Sequence, residues 1–150
     1  MPKKILTVLF ALSFLFVWRT QAQFRKIPSS VTNAFNEKYP DAKDVSWKDK
    51  ITSFQATFTQ DDTETAAWFN ADGSWKKTEY AVPIKEIPSN IQKRIQKSRY
   101  ANWEIKDAVK VQKPDNGISY RISLSGASIL DKRILTYSED GELLKSGMGL

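Results

Sequence analysis

Residues 26–31 read KIPSSV, and the same pattern returns 60 residues later, where residues 86–91 read EIPSNI. A second match follows at an offset of 68, because residues 67–73 read AWFNADG and residues 135–141 read LTYSEDG. Matches that agree in order and spacing indicate an internal duplication. The extra residues of the second copy are expected in loops, near residues 113–117 and near Gly126. The sequence therefore predicts two repeats of one unit, residues 27–82 and 87–146.

Each repeat is predicted to begin with a helix. Pro28 and Pro88 are placed at the first helical position, where a missing N–H costs nothing. Apolar residues then follow at helical spacing: Val31, Ala34, Phe35, Ile91 and Ile95. Pro40 is expected to end the first helix, since a proline disfavours helical geometry in the residue before it. The second helix is expected to end near residues 100–102.

After each helix the apolar residues recur at every second position, as in a strand with one buried face. Residues 54–58 and 118–124 show this pattern most clearly. Turns are predicted at residues 48–50, 60–62, 70–73 and 139–141. Each repeat thus reads as one helix followed by four antiparallel strands. The predicted fold class is α+β, with about eight strands in one sheet and two helices covering one face.

The first 22 residues have the features of a cleavable signal peptide. Lys3 and Lys4 precede an apolar run from Ile5 to Val17, which is too short to span a bilayer as a helix. Thr20 and Ala22 are small residues at the positions that a signal peptidase reads, so cleavage is predicted after Ala22. An uncleaved membrane anchor is the alternative. We expect a periplasmic or secreted protein, with residues 23–150 forming one domain and no membrane span after cleavage.

The composition excludes several classes of function. The chain has no cysteine and no histidine, so disulfides, thiol catalysis and the commonest general base are absent. Removing Lys3, Lys4 and Arg19 with the signal peptide leaves 20 basic against 17 acidic residues. These charges are interleaved rather than clustered, which argues against nucleic acid as a partner.

An Ile-Pro-Ser helix start, a Tyr-Pro-Asp-Ala helix exit at residues 39–42, alternating strands and Asp-Gly hairpins together resemble the PepSY-like, β-lactamase-inhibitor-like family of exported bacterial proteins. The resemblance covers both repeats. It implies a tandem α-β4 fold with an eight-stranded sheet and helices on one face. β-Lactamase inhibitory protein shares this fold, carries disulfides that this chain lacks, and grips an enzyme with its sheet. Likeness of fold does not by itself transmit function.

A binding surface is predicted on the sheet face that points away from the helices. If Phe69 faces the helices, strand alternation directs Trp68 outward. The same alternation predicts four outward residues in the second repeat: Arg121, Ser123, Ile134 and Thr136. Trp, Tyr and Arg are enriched at interfaces. The candidate interface residues are Trp68, Trp75, Tyr80, Arg121 and Arg133. The alternative is that Trp68 and Trp75 pair across strands and stabilise the sheet.

No catalytic, metal-binding or cofactor-binding residue is predicted. Asp61, Asp62 and Glu64 are the densest acidic cluster, but they lack the spacing of a calcium loop and suit a hairpin turn better. Ser125 and Ser128 fall where a hairpin turn is expected, and no base accompanies them. The sequence thus predicts a non-enzymatic module that binds a protein or an envelope component, with a small-ligand carrier as the alternative. The partner and the oligomeric state remain open.

Overall fold

The computed structural model describes residues 26–149, so the predicted signal peptide and its cleavage site lie outside the described residues. Within that range the chain forms two α-helices, α1 (Ser29–Lys38) and α2 (Ser89–Gln96), and a short 3-10 helix at Ile84–Glu86. The eight strands are β1 (Lys43–Lys50), β2 (Ser53–Gln60), β3 (Thr63–Phe69), β4 (Trp75–Ala81), β5 (Glu104–Gln112), β6 (Ile118–Ser125), β7 (Lys132–Ser138) and β8 (Leu143–Met148). No helix of residues 26–149 is long and apolar enough to cross a membrane.

The eight strands form one sheet in the order β1 to β8, and every neighbouring pair is antiparallel. The α+β fold class is therefore confirmed. The two halves join where β4 pairs with β5, from Thr78 opposite Gln112 to Ala81 opposite Val109. Each half contains one α-helix followed by four strands. That the halves superpose as two copies of one unit stays a prediction.

Both helices cover the same face of the sheet, which we call the helix face. In the first half, Val31 and Phe35 of α1 pack against Phe54, Phe58 and Phe69. A second cluster is built from α2 and strands β5 to β7, and includes Ile91, Ile95, Ala108, Ile122, Leu124 and Leu135. Strand register connects the clusters across the sheet, because Ala67 lies opposite Thr78 on β4 and Thr78 lies opposite Gln112 on β5, the strand that carries Ala108.

The helix ends differ from the prediction in detail. Pro28 and Pro88 are N-cap residues with extended backbone, one position before the first helical residue. The carbonyl of each still accepts the first amide hydrogen bonds of its helix. Helix α1 ends before Tyr39, as predicted from Pro40. Helix α2 ends at Gln96, earlier than expected, because tight turns at residues 98–103 replace its last turn.

The hairpin connections follow local turn chemistry. Asp61 and Asp62 connect β2 to β3 and both have positive φ, at 49° and 57°, as a two-residue type I′ turn requires. This confirms the turn that was predicted for the acidic cluster. The turn predicted at residues 48–50 is wrong, since β1 continues to Lys50 and the chain reverses at residues 51–52. The longer connections of the second half lie at residues 113–117 and 126–131, as expected.

A glycine in each half lets a hairpin turn approach the start of a helix. Gly73 has a φ of 90°, and a Cβ there would lie 2.6 Å from the carbonyl oxygen of Ser30. Gly141 has a φ of 82° and lies against Asn90. Ser30 donates a hydrogen bond to the carbonyl of Ala71 at 2.8 Å, and Asn90 donates one to the carbonyl of Glu139 at 3.0 Å. Both contacts therefore fasten a helix start to a turn that requires glycine.

Candidate binding surface

The sheet face that points away from the helices, which we call the outer face, carries Trp68. This residue lies opposite Gln55 on β2 and Lys77 on β4, whereas its neighbour Phe69 is fully buried in the helix-face core. The predicted alternation of Phe69 inward and Trp68 outward is therefore observed. Trp68 is half-buried, so part of its indole surface remains open to a partner.

Four side chains form a connected row across the centre of the outer face. The Nζ of Lys77 lies 4.2 Å from the ring centroid of Trp68 and 2.6 Å from Oε1 of Glu79. Arg121 donates two hydrogen bonds to the Glu79 carboxylate, at 2.9 and 2.6 Å. We call these four residues the Trp68–Arg121 row. The paired donors of an arginine on a carboxylate fix geometry better than a single contact does.

The Glu79–Arg121 pair reaches across the strand between them. Glu79 is on β4 and Arg121 is on β6, so their side chains meet over β5. Val111 of β5 lies opposite Glu79 on the outer face, yet it is only 7 % exposed. The ion pair thus links the two halves of the sheet above a largely buried strand position.

Electrostatic interactions within the row favour the charged forms of Glu79 and Arg121. Burial alone would raise the pKa of Glu79, but hydrogen bonds from Arg121 and Lys77 hold the pKa of that carboxyl below its usual range. The hydrogen bond to Glu79 raises the pKa of Arg121, and the nearby Asp107 acts in the same direction. The guanidinium of Arg121 and the carboxylate of Glu79 are therefore both ionised at neutral pH, within reach of solvent.

The floor of the outer face beside this row is made of small side chains. Ala66, Ala81 and Val109 line a depression of 180 Å³, with Glu64 and Glu79 at its rim. Small residues of this kind allow another backbone or side chain to approach the sheet closely. The outer face therefore combines an accessible floor with one aromatic and several charged groups held in fixed positions.

Three of the five predicted interface residues lie on the helix face instead. A bulge after Trp68 places Trp75 opposite Phe69, and Trp75 packs against the α1 core. Tyr80 lies opposite the buried Thr65. Arg133 lies opposite the buried Leu124.

The five residues thus cannot share one binding surface. Trp68 and Arg121 remain on the outer face, while Trp75, Tyr80 and Arg133 are corrected to the helix face. The alternative in which Trp68 and Trp75 pair across strands is also wrong, since they occupy opposite faces. Lys77 and Glu79, which sequence reasoning missed, complete the row. Strand alternation on β4 could have placed both of them outward.

A polar seam separates the two cores on the helix face. The Tyr39 hydroxyl is hydrogen-bonded to Thr78, and the indole N–H of Trp75 donates to the same Thr78 oxygen at 2.9 Å. Burial raises the pKa of Tyr39 to about 12, so its hydroxyl is neutral at physiological pH. A cleft of 540 Å³ opens at this seam, lined by Lys38, Tyr39, Gln60, Asp61, Thr63, Tyr80 and Ala81.

Metal ligands are not grouped in the described structure. Residues 26–149 contain no cluster of three or more aspartate or glutamate residues that could hold a metal ion. Asp61 and Asp62 form a solvent-exposed turn, while Glu64 continues into β3 on the outer face.

Comparison with protein families gives one match. The family model described as "Putative beta-lactamase-inhibitor-like, PepSY-like" matches residues 52–145, which is more than half of the chain. The chain belongs to this family. The match covers strands of both halves together with α2. No curated protein matches the chain significantly.

Solved structures from Bacteroides species share the fold. A BLIP-like protein from Bacteroides fragilis is 27% identical, with a TM-score of 0.72 over 81% of this chain and 86% of that chain. A DUF2874 family protein from Bacteroides ovatus is 25% identical, with a TM-score of 0.77 over 82% and 88% of the two chains. One of the "putative periplasmic proteins" of Bacteroides eggerthii is 21% identical, with a TM-score of 0.77 over 82% and 89%.

Proposed function

We propose that this PepSY-like protein is an exported, non-enzymatic binding module that engages a protein or an envelope component through its outer sheet face. Trp68 and Arg121 are the anchors of the proposed surface. An inhibitor-like role, in which the face covers a target enzyme, is one form of this function. The observation that carries the proposal is the Trp68–Arg121 row, which stands on an accessible floor of small residues.

The row suits recognition because it is ordered before any partner arrives. Glu79 restrains both Arg121 and Lys77, and Lys77 lies against the Trp68 ring. Side chains that are already restrained lose less conformational entropy on binding. Trp and Arg are also the residue types that most often dominate interface energies. Their placement on a half-exposed sheet face therefore favours a macromolecular partner over a small molecule.

An exported location supports the same proposal. The chain begins with the features of a signal peptide, and a similar structure from Bacteroides eggerthii is described as periplasmic. We expect the native mature protein to begin at Gln23, because Ala22 ends the predicted signal. N-terminal sequencing of protein purified from its own host checks this. A native N-terminus at Met1 would contradict it.

The experiment that tests the outer face is affinity capture from envelope extract, using four variants of the mature protein. Trp68→Ala and Arg121→Ala remove anchors on the outer face. Arg133→Ala is the matched control on the helix face, and Trp75→Phe is a milder control there because Trp75 packs against the α1 core. We expect a reproducible partner that is lost with the first pair and kept with the second. Binding that is lost only with Trp75→Phe or Arg133→Ala would refute the assignment of the binding surface to the outer face.

The small-ligand alternative rests on the cleft at the seam. Gln60 lines this cleft, and its Oε1 is buried without a hydrogen-bond partner among the described residues. A buried acceptor without a partner is costly, and a ligand hydroxyl or N–H could satisfy it. The cleft is open and largely polar, so it suits a small polar molecule rather than the enclosed apolar ligand that would most favour a carrier.

Thermal-shift measurements with a panel of small polar molecules separate the two functions. If the protein is a ligand carrier, a stabilising compound should lose its effect in Gln60→Leu and keep it in Trp68→Ala. If no compound in the panel raises the melting temperature of wild-type protein, the carrier function is contradicted for those chemistries.

A further inference from the structure

The two edges of the sheet differ in how they are protected from pairing with another strand. An unprotected edge strand offers free backbone N–H and C=O groups to any extended chain, and natural proteins block this with charges and bulges. On β1, five of eight residues are charged, and a bulge follows Lys43, where Asp44 has a φ of 54°. On β8, Lys145 is the one charged residue of six, and the strand has a bulge of its own at Leu144, near its start.

Large apolar side chains are instead exposed along β8. Leu143, Leu144 and Met148 are 51%, 56% and 80% exposed, respectively. No strand of residues 26–149 pairs with the outer side of β8, and exposed aliphatic residues beside such a backbone favour pairing with another strand rather than hydration. Beyond Leu144, β8 is regular and nearly uncharged, and this contrast in charge with β1 indicates that the edge at β8 is open to association.

The direction of the free backbone groups on β8 follows from the hydrogen bonds of its neighbours. The amide of Gly126, which follows β6, donates to the carbonyl of Asp131, and the amide of Gly149, which follows β8, donates to the carbonyl of Lys132. The backbone groups of successive residues along β7 therefore point alternately towards β6 and towards β8. Gly147 lies opposite Ile134 in the same alternation as Gly149, and its backbone faces β7. The backbone groups of Ser146 and Met148 must then point away from the sheet.

We propose that β8 is a self-association edge, at which two copies of this chain pair their β8 strands antiparallel about a two-fold axis at Ser146. This inference is independent of the function proposed for the outer face. We infer a second copy as the partner because, in this register, the side chains of one β8 strand are complementary to those of another β8 strand.

In this pairing, Ser146 of one copy lies opposite Ser146 of the other. Residues at equal distances before and after Ser146 then lie opposite each other. Met148 of one copy then lies beside Leu144 of the other, which brings apolar side chains together. Lys145 lies opposite Gly147, so the one charge of the strand meets no like charge. Like charges directly opposite would oppose pairing, whereas apolar pairs support it.

The pairing also keeps the two outer faces on the same side of the combined sheet. A two-fold axis at an antiparallel edge runs perpendicular to the sheet, so it does not exchange its faces. The dimer would therefore present two Trp68–Arg121 rows in one direction. Edge pairing alone buries little surface, and we expect a reversible dimer with a Kd on the order of 10–100 µM.

Sedimentation velocity of the mature protein between about 1 and 500 µM, a range that brackets this affinity, tests the proposal. Wild-type protein should shift from monomer to dimer. Met148→Lys adds a charge at the edge without removing a buried side chain, and we expect it to weaken the dimer at least about tenfold. Ile129→Lys makes the same change at a residue that is 84% exposed outside β8, and it should dimerise like wild type.

A second variant tests whether β8 pairing can be weakened without adding a charge. Ser146→Pro removes an outward N–H, which an edge strand tolerates, and it should also weaken the dimer about tenfold or more. Its melting temperature, compared with wild type, shows whether it folds, and Met148→Lys decides the question if it does not. A wild-type protein that stays monomeric throughout, or a dimer that Met148→Lys leaves unchanged or that Ile129→Lys weakens equally, would overturn the proposal.

Discussion

The helix face and the outer face of the sheet alternate along the same strands but are built from different chemistry. On the helix face, Phe54, Phe58 and Phe69 pack with Phe35 into a nearly dry aromatic core. On the outer face, the Trp68–Arg121 row, with one tryptophan and three charged residues, stands beside small side chains. Because the helix-face residues are buried, they contribute mainly to the stability of the fold. The half-exposed residues of the outer face can bind a partner with little effect on folding. The four substitutions below test this division.

The largest expected effect is on the helix face. Phe69 is fully buried and contacts Phe35 edge-on with ring centroids 6.3 Å apart, so Phe69→Ala leaves a cavity that its aromatic neighbours cannot fill. We expect a loss of about 3–5 kcal/mol in the free energy of unfolding. Urea denaturation monitored by circular dichroism measures it. A loss below about 1 kcal/mol would contradict the assignment of faces.

Glu79→Gln should have an intermediate effect, because it removes the shared partner of two cations. The Glu79 side chain is 12% exposed and bonds both Lys77 and Arg121. We expect a loss of about 1–2 kcal/mol, since hydrogen bonds to charged groups are stronger than neutral ones. Chemical denaturation at pH 7 measures the loss. Lys106 and Glu104 form an exposed pair, so Glu104→Gln serves as a control with an effect near zero.

The effect of Glu79→Gln should also depend on pH. Because the folded protein holds the pKa of Glu79 below its ordinary value, the carboxylate contributes stability above the unfolded-state pKa, and that contribution is lost as the pH falls through the folded-state pKa. The stability difference between wild type and Glu79→Gln should therefore shrink from pH 7 towards pH 3. A constant difference over this range would contradict an ionised Glu79 in the row.

A smaller effect is expected from Tyr39→Phe at the seam of the helix face. The variant removes the hydroxyl bonded to Thr78, but Trp75 still donates to the same Thr78 oxygen. We expect a loss of about 1 kcal/mol at pH 8, the net value of one hydrogen bond. Denaturation of both proteins at that pH measures it. A loss above about 3 kcal/mol would mean that the ring also moves.

The contribution of the Tyr39 hydroxyl to the free energy of unfolding should also depend on alkaline pH. The pKa of Tyr39 rises from 10.0 to about 12 on folding, so its contribution is complete below pH 10 and is lost as the unfolded chain ionises first above that pH. Wild type should consequently lose more stability than Tyr39→Phe between pH 9 and pH 11. Equal losses would show that Tyr39 is not protected from ionisation.

The smallest effect on folding belongs to Trp68→Ala. The Trp68 ring lies on the half-exposed outer face and contacts Lys77, so we expect a change within about 1 kcal/mol of wild type. Binding of a partner should nevertheless weaken by about 2 kcal/mol if Trp68 is an anchor. Thermal melts beside Phe69→Ala need no partner. A Trp68→Ala loss as large as that of Phe69→Ala would remove the distinction between the faces.

Local sequence patterns were sufficient for much of the architecture. The Ile-Pro-Ser starts predicted both helices, and alternation around Phe54 and Phe69 predicted the buried side of β2 and β3. Alternation by itself also separates Arg133 from the outer face. Arg133 is three residues from Thr136, so the two cannot face the same way in a regular strand.

Other features depended on how the strands pair. The bulge between β3 and β4 shifts the register after Trp68 and turns Trp75 towards α1, a change that alternation within β4 does not reveal. Likewise, Glu79 and Arg121 are 42 residues apart and belong to different halves. They meet only because β4 pairs with β5 and β5 with β6.

The sequence by itself therefore determined the elements, the buried side of most strands and the composition that leaves histidine and cysteine chemistry out. The tertiary structure decided which outward side chains become neighbours, and thus that Trp68 and Arg121 share a surface while Trp75, Tyr80 and Arg133 do not. The physical reason is that helix capping and strand periodicity act over a few residues along the chain. Register, bulges and ion pairs across strands depend on contacts between residues that are distant in sequence.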